Sequence, residues 1–379
     1  MVPHLSDDES EHFAHIPALL SELGKRVDVA AVVERGSAPA RLDGVRLVLE
    51  VPGRTRAGRF LGNLRTVRRC SAAGYRTYFL RYSRLFLIGL IITYPLFRHR
   101  VLLWRSGMGD LVPPGQRRSV ASRLDEVGNR LLTRFVHRLV TGPESMVAYM
   151  SRRWGVPRER ICLLYNDIDT DRFVPLLETE RRRVRARLDW DDEEFVILFV
   201  HRLSYRRGTR LLPALFHLVS AQAVGQAPAE ARQGPAIRLV VIGEGPDRQW
   251  LDRAAAEPRA AGRIQILGAV PNRDLPPIYG AADCFLMPSY EEGFPRVLLE
   301  AMATGLPVVT TDAGGSADVV GAGYPHVLPV GDLAGLARHL RTVMAMPAAE
   351  RRALGARLRA RACAEFSPPR VADMLRELL

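Results

Sequence analysis

Two acidic residues, Glu292 and Glu300, stand eight positions apart in the run Ser289-Tyr-Glu-Glu-Gly-Phe-Pro-Arg-Val-Leu-Leu-Glu300. The apolar run Cys284–Met287 ahead of them predicts a strand, Pro288-Ser289 a polar turn, and Pro295 the first turn of a helix, where proline costs no internal hydrogen bond. Glu292 then sits in the turn and Glu300 inside the helix. The unpaired N–H groups of such a helix start, together with its dipole, face an anion such as a diphosphate. Arg202 and Arg207 follow another predicted strand, Phe195–Val200. Gly243 and Gly245 follow Ile237–Ile242, although a glycine pair this short also serves an ordinary turn. In an arginine-rich chain, surface placement is the competing reading for both arginines, as a plain turn is for Glu292 and a solvated helix position for Glu300.

These groups need a scaffold, and the chain reads as α/β. Strand candidates Val27–Val33, Val45–Val51, Thr77–Leu80, Val101–Trp104, Arg138–Val140 and Ile161–Leu164 alternate with helical stretches at His15–Leu23, Arg117–Phe135 and Pro143–Trp154. A second series comprises Phe195–Val200, Ile237–Ile242, Arg263–Leu267, Cys284–Met287 and Val308–Thr310. Alternating strands and helices predict doubly wound parallel sheets. A chain of 379 residues exceeds the usual limit of one core. The expected organisation is an N-terminal domain over 1–175, a C-terminal domain over 176–365 and a helix over 366–379 long enough to return to the first domain. The charged segment between Pro175 and Trp190 reads as an interdomain linker running into a helix, and Ala221–Ala236 as an exposed loop. Ligands bind beyond the carboxyl ends of strands in such sheets, so two of them facing each other make a cleft.

The segment Glu292–Glu300 resembles the glutamate, seven residues, glutamate signature of retaining GT-B glycosyltransferases of family 4. Further segments fall in that family's order. His201-Arg-Leu-Ser-Tyr-Arg-Arg-Gly208 is similar to its Gly-Arg-Leu-x-x-x-Lys-Gly segment, and Gly243-Glu-Gly-Pro246, Leu267-Gly-Ala-Val270 and Asn166-Asp-Ile-Asp169 with Arg172-Phe173 follow it. The resemblance implies a GT-B fold of two Rossmann-like domains and a hexosyltransferase-type enzyme using a nucleotide diphosphate sugar. It implies that Glu300 holds the ribose hydroxyls of the donor, Glu292 the hydroxyls of the donor sugar, and Arg202 and Arg207 the diphosphate. Backbone near Val270 meets the base, while Gly293, Phe294 and Arg296 lie along diphosphate and sugar. Arg207 replaces the family's lysine, keeping the charge but exchanging an ammonium for a fork. Pro295 replaces a glycine and removes one N–H donor. The implied chemistry retains the anomeric configuration. With no DxD-type motif in the cluster, neither a metal nor a separate cofactor is expected.

The first half departs from the pattern. Asp7 and Asp8 stand where a Gly-Gly pair is expected, His12 matches a family histidine, and Arg105 follows the strand Val101–Trp104 where a histidine often lies near the reacting sugar. Asp7, Asp8 and His12 are assigned to the acceptor side, with a helix-cap role as the alternative; Arg105 is assigned to the reacting sugar or a phosphate, with a structural role as the alternative. These departures keep open a non-catalytic GT-B-like sugar-nucleotide-binding protein. The acceptor is left as a lipid-linked hydroxyl, a saccharide or a small-molecule natural product.

Composition narrows the partners. Net charge is +13 with a pI near 10.3, and Lys25 is the only lysine. Arg54, Arg56, Arg59, Arg65, Arg68, Arg69 and Arg76 lie without an acid in Pro52–Arg76, with Phe60, Leu64 and Val67 at helical spacing. That pattern fits either an ordinary solvated helix face or contact with an anionic membrane surface. Nucleic acid is disfavoured, since no helix-turn-helix, zinc or aromatic-stacking motif accompanies the charge. The apolar run Leu85–Phe97 is too short to span a bilayer and reads as a buried helix. Four dispersed cysteines and an acidic N-terminal run lead to an expected cytoplasmic location, and the membrane reading of Pro52–Arg76 would make it peripheral on the inner face of the cell membrane.

Overall fold

In a computed structural model of the chain, the structure describes residues 2–4, 16–35, 41–53, 55–81, 83–105, 127–223, 236–258, 260 and 262–379. Two compact units result: Met1–Asp167 with Pro368–Leu379, and Ile168–Ser367.

In the first unit every strand pairing is parallel. One sheet has the order β1 (Val2–His4), β2 (Val29–Arg35), β3 (Val45–Glu50); a second has β4 (Thr77–Arg81), β5 (Arg100–Trp104), β6 (Arg138–Thr141), β7 (Ile161–Leu163). Helices Ile16–Gly24, Arg56–Ala72, Arg84–Phe97 and Glu144–Trp154 fall between strands. Local chemistry fixes their ends. Thr55 Oγ1 accepts from the Gly58 N–H at 3.0 Å, Ser83 Oγ accepts from the Phe86 N–H at 3.3 Å, and Gly155 takes the left-handed conformation (φ 67°) that closes Glu144–Trp154.

One residue of the apolar stripe of helix Arg56–Ala72 turns inward. Val67 is fully buried in a core shared with Leu80, Phe86, Leu87 and Leu90, leaving Arg65, Arg68 and Arg69 exposed. Phe60 and Leu64, the other two residues of the stripe, are half-buried. Helix Arg84–Phe97, expected to be buried, is so only at Phe86, Leu87, Gly89 and Leu90, while Ile88, Ile92, Tyr94 and Leu96 are exposed. Within the described residues no helix is long and apolar enough to cross a membrane.

The second unit is a six-stranded parallel sheet in the order β10 (Ile264–Gly268), β9 (Ile237–Ile242), β8 (Phe195–Val200), β11 (Cys284–Met287), β12 (Val308–Thr311), β13 (Val327–Leu328). The chain walks outward from β8 to β10, then returns beside β8 as β11. β8 and β11 thus flank the point where the strand order reverses, the place where open α/β sheets bind ligands. All six β8 residues are buried: Phe195, Ile197 and Phe199 meet Leu212, Phe216, Leu336 and Leu340, while Val196, Leu198 and Val200 point the other way.

The charged segment expected to run into a helix does so within this unit. Helix Glu178–Arg187 lies inside it, and the unit boundary falls at Asp167, ahead of the expected Pro175. Arg185 is fully buried and donates to the carbonyls of Ala281, Asp191 and Glu194 and to Asp283 Oδ2 at 3.2 Å. Both terminal nitrogens of this buried guanidinium meet acceptors, which offsets much of the cost of burying it. After helix Ala348–Phe366 the chain breaks at Ser367, and helix Pro368–Leu378 packs on the first unit through Val371, Ala372 and Leu375 against Leu19 and Leu23. Arg26 anchors it by a 2.7 Å ion pair to Asp373.

Candidate functional site

The site is built from two loops at the carboxyl ends of β8 and β11. They are sewn together through backbone: the Arg206 carbonyl accepts from the N–H groups of Tyr290 (2.9 Å) and Glu291 (3.2 Å), and Tyr205 stacks on Tyr290 at 4.9 Å with 7° between planes. Gly208 makes the approach possible. Its φ is +72°, and a Cβ there would lie 2.1 Å from the Pro288 carbonyl oxygen. On the other flank Gly243, with φ +132°, passes so close that a Cβ would lie 1.9 Å from the His201 carbonyl oxygen. The glycine pair therefore positions the 201–203 backbone.

Glu292 is the centre of this arrangement and is only 5% exposed. Its Oε1 accepts from Ser289 Oγ at 2.7 Å and meets His201 Nε2 at 2.9 Å, and its Oε2 pairs with Arg207 Nη1 at 2.6 Å. Arg207 Nη1 also donates to the Glu291 carbonyl. His201 Nδ1 accepts the Arg202 N–H at 2.8 Å, so the ring holds its proton on Nε2 and donates it to Glu292. Burial pushes the Glu292 carboxyl up; the His201 ring, the Arg207 guanidinium and the Ser289 hydroxyl together outweigh it, and the net direction is down. The carboxylate thus stays ionised without solvent.

A folded-state value below the ordinary 4.5 means that this pairing stabilises the fold fully above that value. The contribution is lost as pH falls below it toward the folded value. In thermal melts, wild type should lose its advantage over Glu292→Gln as pH is lowered below this point; a difference in melting temperature that stays constant through the acid range would contradict the pairing.

Glu300 lies on helix Arg296–Ala303, 4% exposed. Its Oε2 accepts from the Tyr279 hydroxyl at 2.9 Å and its Oε1 from Asn272 Nδ2 at 3.2 Å. Arg172 donates to Asn272 Oδ1, which turns the amide so that its NH₂ faces Glu300. Burial and then the neighbouring Glu300 push the Tyr279 hydroxyl well up, so it remains a donor.

The other predicted residues take varied positions. Arg202 is exposed, without an ion pair among the described residues; it contributes its backbone N–H to His201. Gly293 accepts the Gly315 N–H at 2.8 Å, Phe294 packs edge-on against Phe366 at 5.6 Å, Arg296 is half-buried at the helix start, and Val270 is half-buried after β10. Arg105, in the first unit, lies over the Trp154 ring at 5.8 Å. Asp7, Asp8 and His12 lie outside the described residues. Among the described residues no cluster of three or more His, Cys, Asp or Glu forms a metal-binding group. His201, Ser289, Asn272 and Tyr279 were missed as partners. The nearest signal was His201 itself, standing where the similar family segment has glycine.

This fold is that of GT-B glycosyltransferases. The chain superposes on sucrose-phosphate synthase from Thermosynechococcus elongatus with a TM-score of 0.74 at 20% identity, over 97% of this chain and 92% of that one. It superposes on Anabaena HepE in complex with UDP with a TM-score of 0.73 at 17% identity, over 96% and 95%. Within it, residues 180–361 match the family model for glycosyl transferases group 1. Curated relatives include 2-deoxystreptamine glucosyltransferase of Streptomyces kanamyceticus, 32% identical over 55% of this chain and 52% of that protein. Glycogen synthase of Mycobacterium tuberculosis is 31% identical over 58% and 49%, and D-inositol 3-phosphate glycosyltransferase of Salinispora tropica 30% identical over 66% and 52%. The matches span about half the length of these relatives.

Proposed function

We propose that this chain is a retaining glycosyltransferase of family 4 that moves a sugar from a nucleoside diphosphate sugar to an acceptor hydroxyl. The observation carrying this reading is the pair of buried carboxylates, Glu292 and Glu300, each with its donors arranged around it, on the loop and helix that follow β11. Ligand binding by the HepE neighbour, whose structure contains UDP, supports the donor class.

In this reading Glu300 takes the ribose hydroxyls and Glu292 the hydroxyls of the donor sugar. The acceptor oxygen bonds to the anomeric carbon on the face from which the diphosphate leaves; the carbon–oxygen bond to phosphate breaks, and the departing diphosphate takes the acceptor's proton. About one extra negative charge develops on the leaving group, and one guanidinium ~5 Å away at an effective dielectric near 20 stabilises it by ~3 kcal/mol. Arg202 and Arg207 are assigned that task. The reading gives no part to a divalent ion, and turnover in excess chelator tests that assignment.

Nucleotide binding is the first test. A ligand at about 100 times its Kd stabilises the folded state by about 2.7 kcal/mol, which raises the melting temperature of a unit of this size by roughly 5–10 °C. A screen of nucleoside diphosphates should show such a shift for at least one base. A shift absent for every diphosphate would remove the donor site.

A further inference from the structure

Most of the exposed large apolar side chains of the first unit lie on two segments that share a cavity wall: Ile88, Ile92, Tyr94 and Leu96 on helix Arg84–Phe97, and Leu131 just ahead of, and Phe135 within, the 3-10 turn Thr133–Phe135. Leu96 is 79% exposed, Phe135 58% and Ile92 55%. Ile88, Ile92 and Leu96 recur at a spacing of four, which places them along one outer stripe of the helix. Beside the stripe, Leu90, Ile91, Tyr94, Pro95, Val101, Phe135 and Val136 line a cavity of 620 Å³, within the range that holds small ligands. A clustered apolar surface of this kind marks an interaction site.

Charge selects the partner. Arg134, Arg160 and His137 also line the cavity, and Arg98 stands exposed at the end of the helix. Arg160 is bonded to the carbonyls of Thr133 and Val136, which are neutral, and among the described residues Arg98 and Arg134 make no ion pair. Helix Arg84–Phe97 contains no acid, and neither does the stretch 127–141. An apolar stripe bordered by cations that carboxylates do not neutralise is the pattern of an interfacial helix on an anionic bilayer.

We propose that helix Arg84–Phe97 and the turn Thr133–Phe135 dock on an anionic lipid bilayer, with Ile92 and Leu96 entering the acyl boundary and the cavity taking the apolar chain of an anionic lipid. The proposal rests on the peripheral-membrane expectation, but moves the contact from helix Arg56–Ala72, where Val67 is in the core and Phe60 and Leu64 are half-buried, to this face, where Ile92 and Leu96 are exposed. It is independent of the donor chemistry in the second unit.

The test is co-sedimentation of the full chain with vesicles of phosphatidylcholine alone or mixed with phosphatidylglycerol. Wild type should sediment only with the anionic vesicles, and binding should weaken in about 0.5 M salt, where the Debye length is only a few ångströms. The double variant Ile92→Glu, Leu96→Glu, at two exposed positions, should bind about tenfold or more weakly with an unchanged melting temperature. The variant Arg65→Glu, Arg68→Glu, Arg69→Glu should stay within about threefold of wild type. Tyr94→Trp should shift its emission to the blue on mixing with the anionic vesicles. Wild type remaining in the supernatant while a nucleoside diphosphate still binds would overturn the docking and leave the donor reading standing. Loss on the Arg65, Arg68, Arg69 variant with the apolar variant unaffected would return the contact to helix Arg56–Ala72. Dimerisation in light scattering that the apolar variant abolishes, without vesicle binding, would assign the face to a second copy of the chain.

Discussion

Glu292→Gln is expected to lower kcat roughly a hundredfold while leaving donor affinity within about threefold, because a buried carboxylate beside the reacting sugar acts most strongly once positive charge develops there. The structure shows how the wild-type group is kept ready: three donors hold both oxygens, and its pKa is drawn down despite burial. A glutamine keeps one oxygen but presents an NH₂ to either the His201 N–H or the Arg207 guanidinium, where it meets another donor. Arg207→Ala should reduce kcat at least tenfold by withdrawing charge from the leaving diphosphate. Arg207→Lys should stay close to wild type, because a single nitrogen, Nη1, makes both contacts to Glu292 and to the Glu291 carbonyl. Steady-state kinetics on the three variants decides the matter; unchanged kcat in Glu292→Gln and Arg207→Ala would remove the sugar and phosphate assignments.

Glu300→Gln is expected to act on binding. Hydrogen bonds from two hydroxyls to an ionised acceptor contribute equally in ground and transition states, so their weakening appears in Kd and KM rather than kcat. A loss of about 2–3 kcal/mol corresponds to roughly 30- to 150-fold in Kd. Tyr279→Phe removes one of the two side-chain donors that orient the carboxylate and should weaken donor binding about tenfold at most, with kcat retained. Calorimetric titration with the diphosphate and with its 2′-deoxy form separates a ribose role from a packing role. Glu300→Gln should nearly abolish the discrimination between them, and an unaltered ratio would place the ribose elsewhere.

The parts of this architecture legible beforehand share a physical reason. β8, β9 and β11 were bounded to the residue because parallel strands covered on both faces read as unbroken apolar runs with abrupt ends. β13, two residues long, carries no such run. In helix Glu178–Arg187 the burial of Arg185 is not legible, because arginine signals solvent, whereas acceptors from positions 191, 194, 281 and 283, none of them visible in local pattern, surround it. In Arg84–Phe97 apolar residues occur at nearly every position, so periodicity could not separate the core-facing Phe86, Leu87 and Leu90 from the outward Ile88, Ile92 and Leu96. In Arg56–Ala72 the period marked Phe60, Leu64 and Val67, of which only Val67 reaches the core, because the helix packs mainly through Gly62, Asn63, Thr66, Cys70 and Ser71, which no apolar period picks out.

The same distinction runs through the site. Glu292 and Glu300 were readable from spacing and resemblance, since one short segment carries both. Their partners were not. His201 reaches Glu292 from 91 positions away, and Asn272 and Tyr279 reach Glu300 from a different loop and helix, so only the meeting of β8 with β11 and the packing of neighbouring helices brings them together. The role of Gly243 was also ambiguous in sequence; the structure uses it for close backbone approach to His201.

The central claim is that the chain transfers a sugar, and the direct measurement is release of nucleoside diphosphate from its best-binding donor with and without acceptor, with the product analysed for anomeric configuration. The account predicts release that depends on acceptor, one sugar appearing in the product for each diphosphate freed, the donor's anomeric configuration preserved, and a strongly reduced rate in Glu292→Gln. A donor that binds at the Glu300 site yet stays intact with lipid-linked, saccharide and small-molecule acceptors alike would contradict it, and would make the chain a sugar-nucleotide-binding protein on a glycosyltransferase fold.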